Sequence, residues 1–170
     1  MRWKAWIRRV LRARAEKALD GTEAFALAKI APKIRAALRQ RGIALRSPAL
    51  WITAGRIPHI TREAKQRRGR VLSEADRDGL ASALARPRAV LLDKESDSLI
   101  FLFDAADAGV SASGRRRCGK VAVALNYPAE IKTRPGGKRK AKVINSVRTA
   151  EYIDASGLPA SRYELLGGER

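Results

Sequence analysis

Residues 120–152 read KVAVALNYPAEIKTRPGGKRKAKVINSVRTAEY. Two runs of strand character, 120–127 and 142–149, flank a loop that carries Lys132, Arg134, Lys138, Arg139 and Lys140. In the first run Val121, Val123, Leu125 and Tyr127 alternate with Lys120, Ala122, Ala124 and Asn126, the period of two expected of a half-buried strand. The second run gathers Asn145, Ser146 and Thr149 beside Arg148. Along a regular strand, Asn145 and Thr149 share a face with Val143 and Val147, while Ser146 and Arg148 share the other with Ile144. Neither face is wholly apolar. A core strand gains little from so many hydrogen-bonding side chains. A cleft that grips a phosphodiester gains donors to orient it, and Arg148 to stabilise developing charge. The competing reading is an exposed edge strand with ordinary polar decoration.

Outward from this hairpin, 163–166 adds a final strand, and 89–93 and 98–104 form a second hairpin about the polar turn 94–97. Residues 105–119 are small and polar and read as a loop with a basic cluster at 114–117. Further upstream the period becomes helical. Trp3, Trp6, Ile7, Val10 and Leu11 mark a helix over 2–19, stopped by Asp20 and Gly21. Thr22 as N-cap, with Glu23 behind it, opens a helix to about residue 41 that buries Phe25, Ile30, Ile34 and Leu38. Pro32 either kinks that helix or starts a new segment. A short strand at 50–53 precedes a basic helix over 58–68, and Ser73 opens another helix that ends before Pro87. Helices followed by consecutive strands predict an α+β fold, with N-terminal helices packed on a four- to five-stranded antiparallel sheet. The expected division is a basic helical arm, 1–45, and an α+β domain, 46–168, with one continuous fold as the alternative.

The chain has 170 residues, enough to bury a real core, and a formal charge of +19. A polyanion is the default partner for such a charge, and nucleic acid leads. Residues 1–72 hold 19 Lys/Arg against 4 Asp/Glu, and 115–148 hold 11 basic side chains against Glu130 alone. Cys118 is the single cysteine and His59 the single histidine, so no intramolecular disulfide and no His/Cys zinc cluster can form. Asp93, Asp97, Asp104 and Asp107 stand at turn positions without metal-ligand spacing, which disfavours a two-metal nuclease. P-loop, GxGxxG and GxSxG patterns are absent, and no cofactor is expected. The Arg-rich start lacks the apolar stretch of a secretory signal, and no apolar run suffices for an integral membrane segment.

His59 has two readings. An imidazole titrating near neutrality suits a general base or acid; a histidine opening a helix also serves as a cap or packing group. Arg56, Arg62 and Lys65 give it a cationic neighbourhood suited to phosphate. The basic side chains Arg115, Arg116, Arg117, Lys120, Lys132, Lys138, Arg139 and Lys140 are candidate phosphate contacts.

With these residues set out, the stretch from about 50 to 166 resembles the phage-encoded nuclease-like domains of the barnase–EndoU–colicin–RelE superfamily, of the type attached to phage head-morphogenesis proteins. The matching segments are, in order, WITAGRIPHI, ALARPRAVLLD, SDSLIFLF, KVAVALNY, INSVRTAEYID and SRYELL. The resemblance implies a small α+β fold and metal-independent endoribonuclease activity, in which the ribose 2′-OH attacks the adjacent phosphorus. It carries His59 over as the family's helix histidine, and Asn145, Ser146 and Thr149 as its N-S-x-x-T strand motif. The second histidine of EndoU-like members is missing, so a Lys, Arg or Tyr takes the other proton-transfer role, or the domain binds without cutting. The implied partner is RNA or another nucleic acid, with a phage structural protein or an acidic immunity protein beside it. The implied location is the bacterial cytoplasm or the virion. The alternatives are a noncatalytic nucleic-acid-binding or packaging accessory and a virion interaction domain that docks through its Trp-bearing helix.

Overall fold

A computed structural model describes residues 2–61 and 69–170. The opening hairpin is longer than its sequence pattern. Strand β5 spans Arg117–Ile131 and β6 Lys140–Asp154, fifteen residues each, and their pairing runs from Arg117 opposite Asp154 to Ile131 opposite Lys140. Around them lie β1 (Ala24–Lys29), β2 (Ala49–Thr53), β3 (Ala89–Asp93), β4 (Ser98–Phe103) and β7 (Tyr163–Gly168). The order across the sheet is β1-β2-β6-β5-β4-β3-β7. Each neighbouring pair is antiparallel except β2 and β6, which run parallel at Leu50–Asn145 and Trp51–Ser146. The α+β class holds. The expected four- to five-stranded antiparallel sheet is replaced by a mixed sheet of seven strands.

Two causes explain the larger sheet. Residues 22–41 do not form one helix. Pro32 disfavours helical backbone at the residue before it, and Ala31 sits at φ −59°, ψ 146°. The helix α2 therefore starts at Pro32 and runs to Gln40, while Ala24–Lys29 pairs with β2 as the edge strand β1. The last apolar run pairs with β3 at the opposite edge. The parallel contact joins β1 and β2 to β6, so residues 1–45 form part of the sheet and core rather than a separate arm.

One face of the sheet carries the helices. Helix α1 (Trp3–Ala15) buries Trp3, Trp6, Ile7 and Val10, and ends short of residue 19 where Lys17 takes φ 56°. Trp3, Trp6 and Phe25 of β1 form a ring cluster with centroids 5.5–5.6 Å apart. The indole N–H of Trp6 donates to buried Glu23 (2.9 Å), which also pairs with Arg9. Helices α3 (Ile57–Ile60), α4 (Glu74–Asp78) and α5 (Leu80–Ala85) complete this layer among the described residues. Ile57, Ile60, Leu80 and Leu84 meet Leu50, Ile52, Phe101, Val121, Val123 and Val147 in the main core. Ser73 caps α4 as its sequence predicts, accepting from the Asp76 N–H. Asp76 itself is buried and accepts from the Tyr152 hydroxyl (2.5 Å) and from the N–H groups of Ala106 and Asp107. Burial and this carboxylate push the Tyr152 hydroxyl above its ordinary pKa.

The other face is thinner. Ala89, Leu91, Ile100, Leu102, Cys118 and Leu158 form a second cluster that includes no α-helical residue among those described. A third, of Ala24, Ile131 and Ile144 with Trp51 and Ala129, lies toward the hairpin tip. Between them the centre of β5 and β6 stays half-buried at Ala122, Ala124, Arg148 and Thr149. Gly119 shows how tightly β4 and β5 meet: a Cβ there would lie 2.1 Å from the ring of Phe103, its partner across the ladder.

Candidate functional site

Two bulges in β5–β6 decide which polar groups share a face. Val123 pairs with Val147 but Ala122 pairs with Thr149, which leaves Arg148 as an extra residue on β6. Ala124 pairs with Ser146 but Tyr127 with Ile144, so β5 is longer there, and Asn126 takes φ 49°. The first bulge overturns the grouping expected of a regular strand. Thr149 now lies opposite Ala122 of the second cluster's face, while Val147 stays in the main core. The Arg148 guanidinium lies over the Tyr127 ring, 4.5 Å from its centre, with an N–H 3.4 Å from the Ser146 hydroxyl. Ser146, Arg148 and Thr149 are thus brought to one face.

Asn145 goes elsewhere. It is 1% exposed, its amide donates to the carbonyls of Ser47 (2.7 Å) and Ala49 (3.0 Å), and its Oδ1 accepts from the Asn126 N–H (3.3 Å). These bonds tie the start of β2 to the second bulge, which makes the side chain a structural joint rather than a substrate contact. Ser146 is equally buried, beneath Arg148.

His59 is exposed, the third residue of α3. Its helix is linked to the strand by Arg56, whose guanidinium donates to the Arg148 carbonyl at 2.8 and 3.2 Å. That bond spends Arg56 on a carbonyl of β6 beyond the point where β2 leaves it. Arg62 and Lys65 lie outside the described residues.

The remaining basic candidates separate into two ends of the hairpin. Lys138, Arg139 and Lys140 are exposed at its tip. Lys132, also near the tip, is bound to Asp20 at 2.7 Å, and this contact holds the Asp20 carboxyl well below the usual range. Lys132 therefore pins the chain before β1 instead of standing ready for a phosphate. At the other end Arg115 and Arg116 are exposed in the loop, while Arg117 and Lys120 line a pocket of about 330 Å³ with Arg70. Ser111, Asp154, Leu158 and Tyr163 form other walls of this pocket. Arg117 donates to the Gly69 carbonyl (2.8 Å), and the Arg70 carbonyl accepts from the Tyr152 N–H (2.8 Å), so residues 69 and 70 run beside β6. Asp154 caps the turn at Ala155–Gly157, and the Ser156 N–H lowers its pKa.

Below the cations lies Glu151, 6% exposed and directly opposite Lys120. Its Oε1 is 2.8 Å from Arg70 and 3.8 Å from Lys120. Sequence reasoning missed this carboxylate and Arg70. The signal was present: Lys120 begins one strand of the hairpin, and an antiparallel return sets Glu151, two residues beyond Thr149, against it. Cys118 is buried, which pushes its thiol up and leaves it protonated at neutral pH. Among the described residues no three His, Cys, Asp or Glu side chains are grouped to hold a metal ion, and no helix is long and apolar enough to cross a membrane.

No family model, curated protein or solved structure matches the chain. The functional reading therefore rests on the chemistry of this face.

Proposed function

We propose that the chain binds RNA along the sheet face opposite α1, α2 and α3 and cleaves it without a metal ion. The observation that carries this reading is the pocket lined by Arg70, Arg117 and Lys120 above the Glu151 carboxylate. A phosphodiester in the pocket would take hydrogen bonds from the three cations, whose charge also suits the extra negative charge of a five-coordinate phosphorus. Arg70 and Lys120 would turn from Glu151 to the phosphate, leaving the carboxylate to accept the proton of the ribose 2′-OH. The 2′-oxygen then bonds to phosphorus, the bond to the 5′-oxygen breaks, and that oxygen leaves with a proton. The products are a 2′,3′-cyclic phosphate and a 5′-hydroxyl. In this proposal the Lys120 ammonium, which lines the pocket, delivers the second proton, since His59 stands on α3 in the helix layer. Thr149 and Arg148 continue the same face and contact the strand beyond the scissile phosphate. The reading agrees with the resemblance to the barnase–EndoU–colicin–RelE nucleases, and a bacterial or virion setting belongs to the same proposal.

The test is cleavage of a fluorogenic RNA in EDTA by the wild type and by Glu151→Gln, His59→Ala and Thr149→Ala, with RNA binding measured in parallel. The expected result is cleavage by the wild type that Glu151→Gln lowers by at least about 10²-fold without loss of binding; loss of cleavage in His59→Ala would return the second proton to the imidazole. If the wild type binds RNA but does not cut it, the catalytic assignment fails and the noncatalytic accessory stands. If it neither binds nor cuts, the whole reading fails.

A further inference from the structure

The same face of the sheet carries a second pattern beyond the phosphate pocket. Tyr127 is 37% exposed, and the Arg148 guanidinium is laid on its ring at 4.5 Å. Two strands away on the same face, Lys142 lies over the Trp51 ring at 4.8 Å. Ladder pairing fixes the arrangement: Tyr127 is opposite Ile144, and Trp51 is beside Ser146. With strands about 4.8 Å apart and Ile144 two residues from Ser146 along β6, the two aromatic residues stand roughly 12 Å from each other across β5, β6 and β2. Arg148 lies three residues from Glu151 on β6, which puts it roughly 10 Å from the cation pocket. Ala122, Ala124 and Thr149 keep the floor between them low.

Cations that served only to attract a polyanion would extend into solvent. Here Arg148 and Lys142 rest on aromatic rings, and the layered guanidinium offers a flat π-face to a further planar group. Bases are such groups, but in a duplex their faces are covered by their neighbours. A sheet face that combines aromatic platforms with a cationic pocket fits unpaired bases, splayed from a backbone whose phosphate is held nearby.

We infer that the substrate is single-stranded RNA, with an unpaired base stacked at the Arg148–Tyr127 pair while a neighbouring phosphate occupies the Arg70–Arg117–Lys120 pocket. The inference rests on the proposed RNA-binding reading and adds to it the choice of strand state.

Fluorescence anisotropy separates the two. The probes are a labelled single-stranded RNA oligonucleotide, the same sequence as a duplex, and a single strand of the same length made abasic throughout, each against the wild type and Tyr127→Ala. Tyr127 is exposed, so its loss leaves the core intact. The wild type should bind the single strand at least tenfold more tightly than the duplex or the abasic strand. Tyr127→Ala should remove about tenfold from the first and little from the other two. Equal affinity for single strand and duplex, or a Tyr127→Ala variant that binds the single strand as the wild type does, overturns the strand-state inference and leaves RNA binding standing. Failure to bind any of the three overturns both.

Discussion

Lys120 Nζ lies 3.8 Å from Glu151 Oε1 across the β5–β6 ladder, and the Arg70 guanidinium reaches the same oxygen at 2.8 Å. One carboxylate oxygen therefore holds two of the three cations that line the pocket. Replacement by the isosteric amide keeps the shape and removes the charge. For Glu151→Gln we expect cleavage to fall by roughly 10²- to 10⁴-fold, the usual range for a lost general base. RNA affinity should hold or rise, because a negative charge has left the phosphate site. Parallel turnover and binding measurements check both expectations, and a variant that cuts normally removes Glu151 from the mechanism.

Cations that look alike in the sequence should behave differently in solution. Arg117→Ala removes a pocket contact and is expected to lower the slope of log affinity against log salt by about one. Lys132→Ala should leave that slope alone and lower the melting temperature instead, because its ammonium group is bound to Asp20. Salt-titrated binding, with thermal melts of the same proteins, distinguishes the two roles.

Asn145→Ala leaves the carbonyls of Ser47 and Ala49 and the N–H of Asn126 without their side-chain partner. Buried unsatisfied groups cost about 1–3 kcal/mol, so a loss of that order is expected in urea unfolding. A full loss of activity with unchanged stability would instead assign Asn145 to substrate.

The Asp93 carboxyl is held at a pKa of about 2 by the Arg162 guanidinium, at 2.8 and 2.9 Å, with its desolvation working in the opposite direction. A folded-state pKa below the unfolded value contributes stability above the unfolded pKa, near 3.9, that is lost as pH falls through the folded one. The contribution should be on the order of 2 kcal/mol at neutral pH and should disappear between about pH 4 and pH 2. Comparing unfolding free energies of the wild type and Asp93→Asn across that window measures it: the gap between them should close as the pH drops.

Gly119→Ala would drive a methyl group to within 2.1 Å of the buried Phe103 ring. Overpacking of this kind costs about 1–3 kcal/mol, which denaturant unfolding will register, and Phe103→Leu in the same chain should recover part of it.

Much of the strand pattern could be read in the chain itself. The hairpin over 89–104, the β5–β6 pair, the final strand and the Ser73 cap all follow from period-two alternation or capping chemistry that acts over a few residues. What could not be read depends on partners far away. Ala24–Lys29 has helix-forming alanines and becomes a strand because β2 lies beside it; the sign of that outcome was Pro32, which bars a helix from passing through Ala31. The bulge at Arg148 moves Thr149 to the face of Ser146, and strand periodicity alone carries no mark of the extra residue. Lys132 and Lys138 look equivalent as basic loop residues, and Asp20, more than a hundred positions away, distinguishes them. Glu151 was within reach of sequence reasoning, since it follows from the register of a hairpin already recognised.

The parallel contact between β2 and β6 has a consequence for how the molecule is made. During synthesis β1 and β2 leave the ribosome early, and β3, β4 and β5 form a second group; among the described residues the strand pairing between the two groups is the single bridge from Glu23 to Lys132 until residues 140–154 arrive. A nascent chain paused before that point holds two sheet fragments with unmatched edges, and an N-terminal layer containing Trp3 and Trp6 that has yet to receive Val147, Ala150 and Tyr152. Final assembly waits for the penultimate strand. Loop closure over such separations is slow compared with local hairpin formation, so premature termination after β5 should yield an insoluble fragment instead of a smaller folded protein.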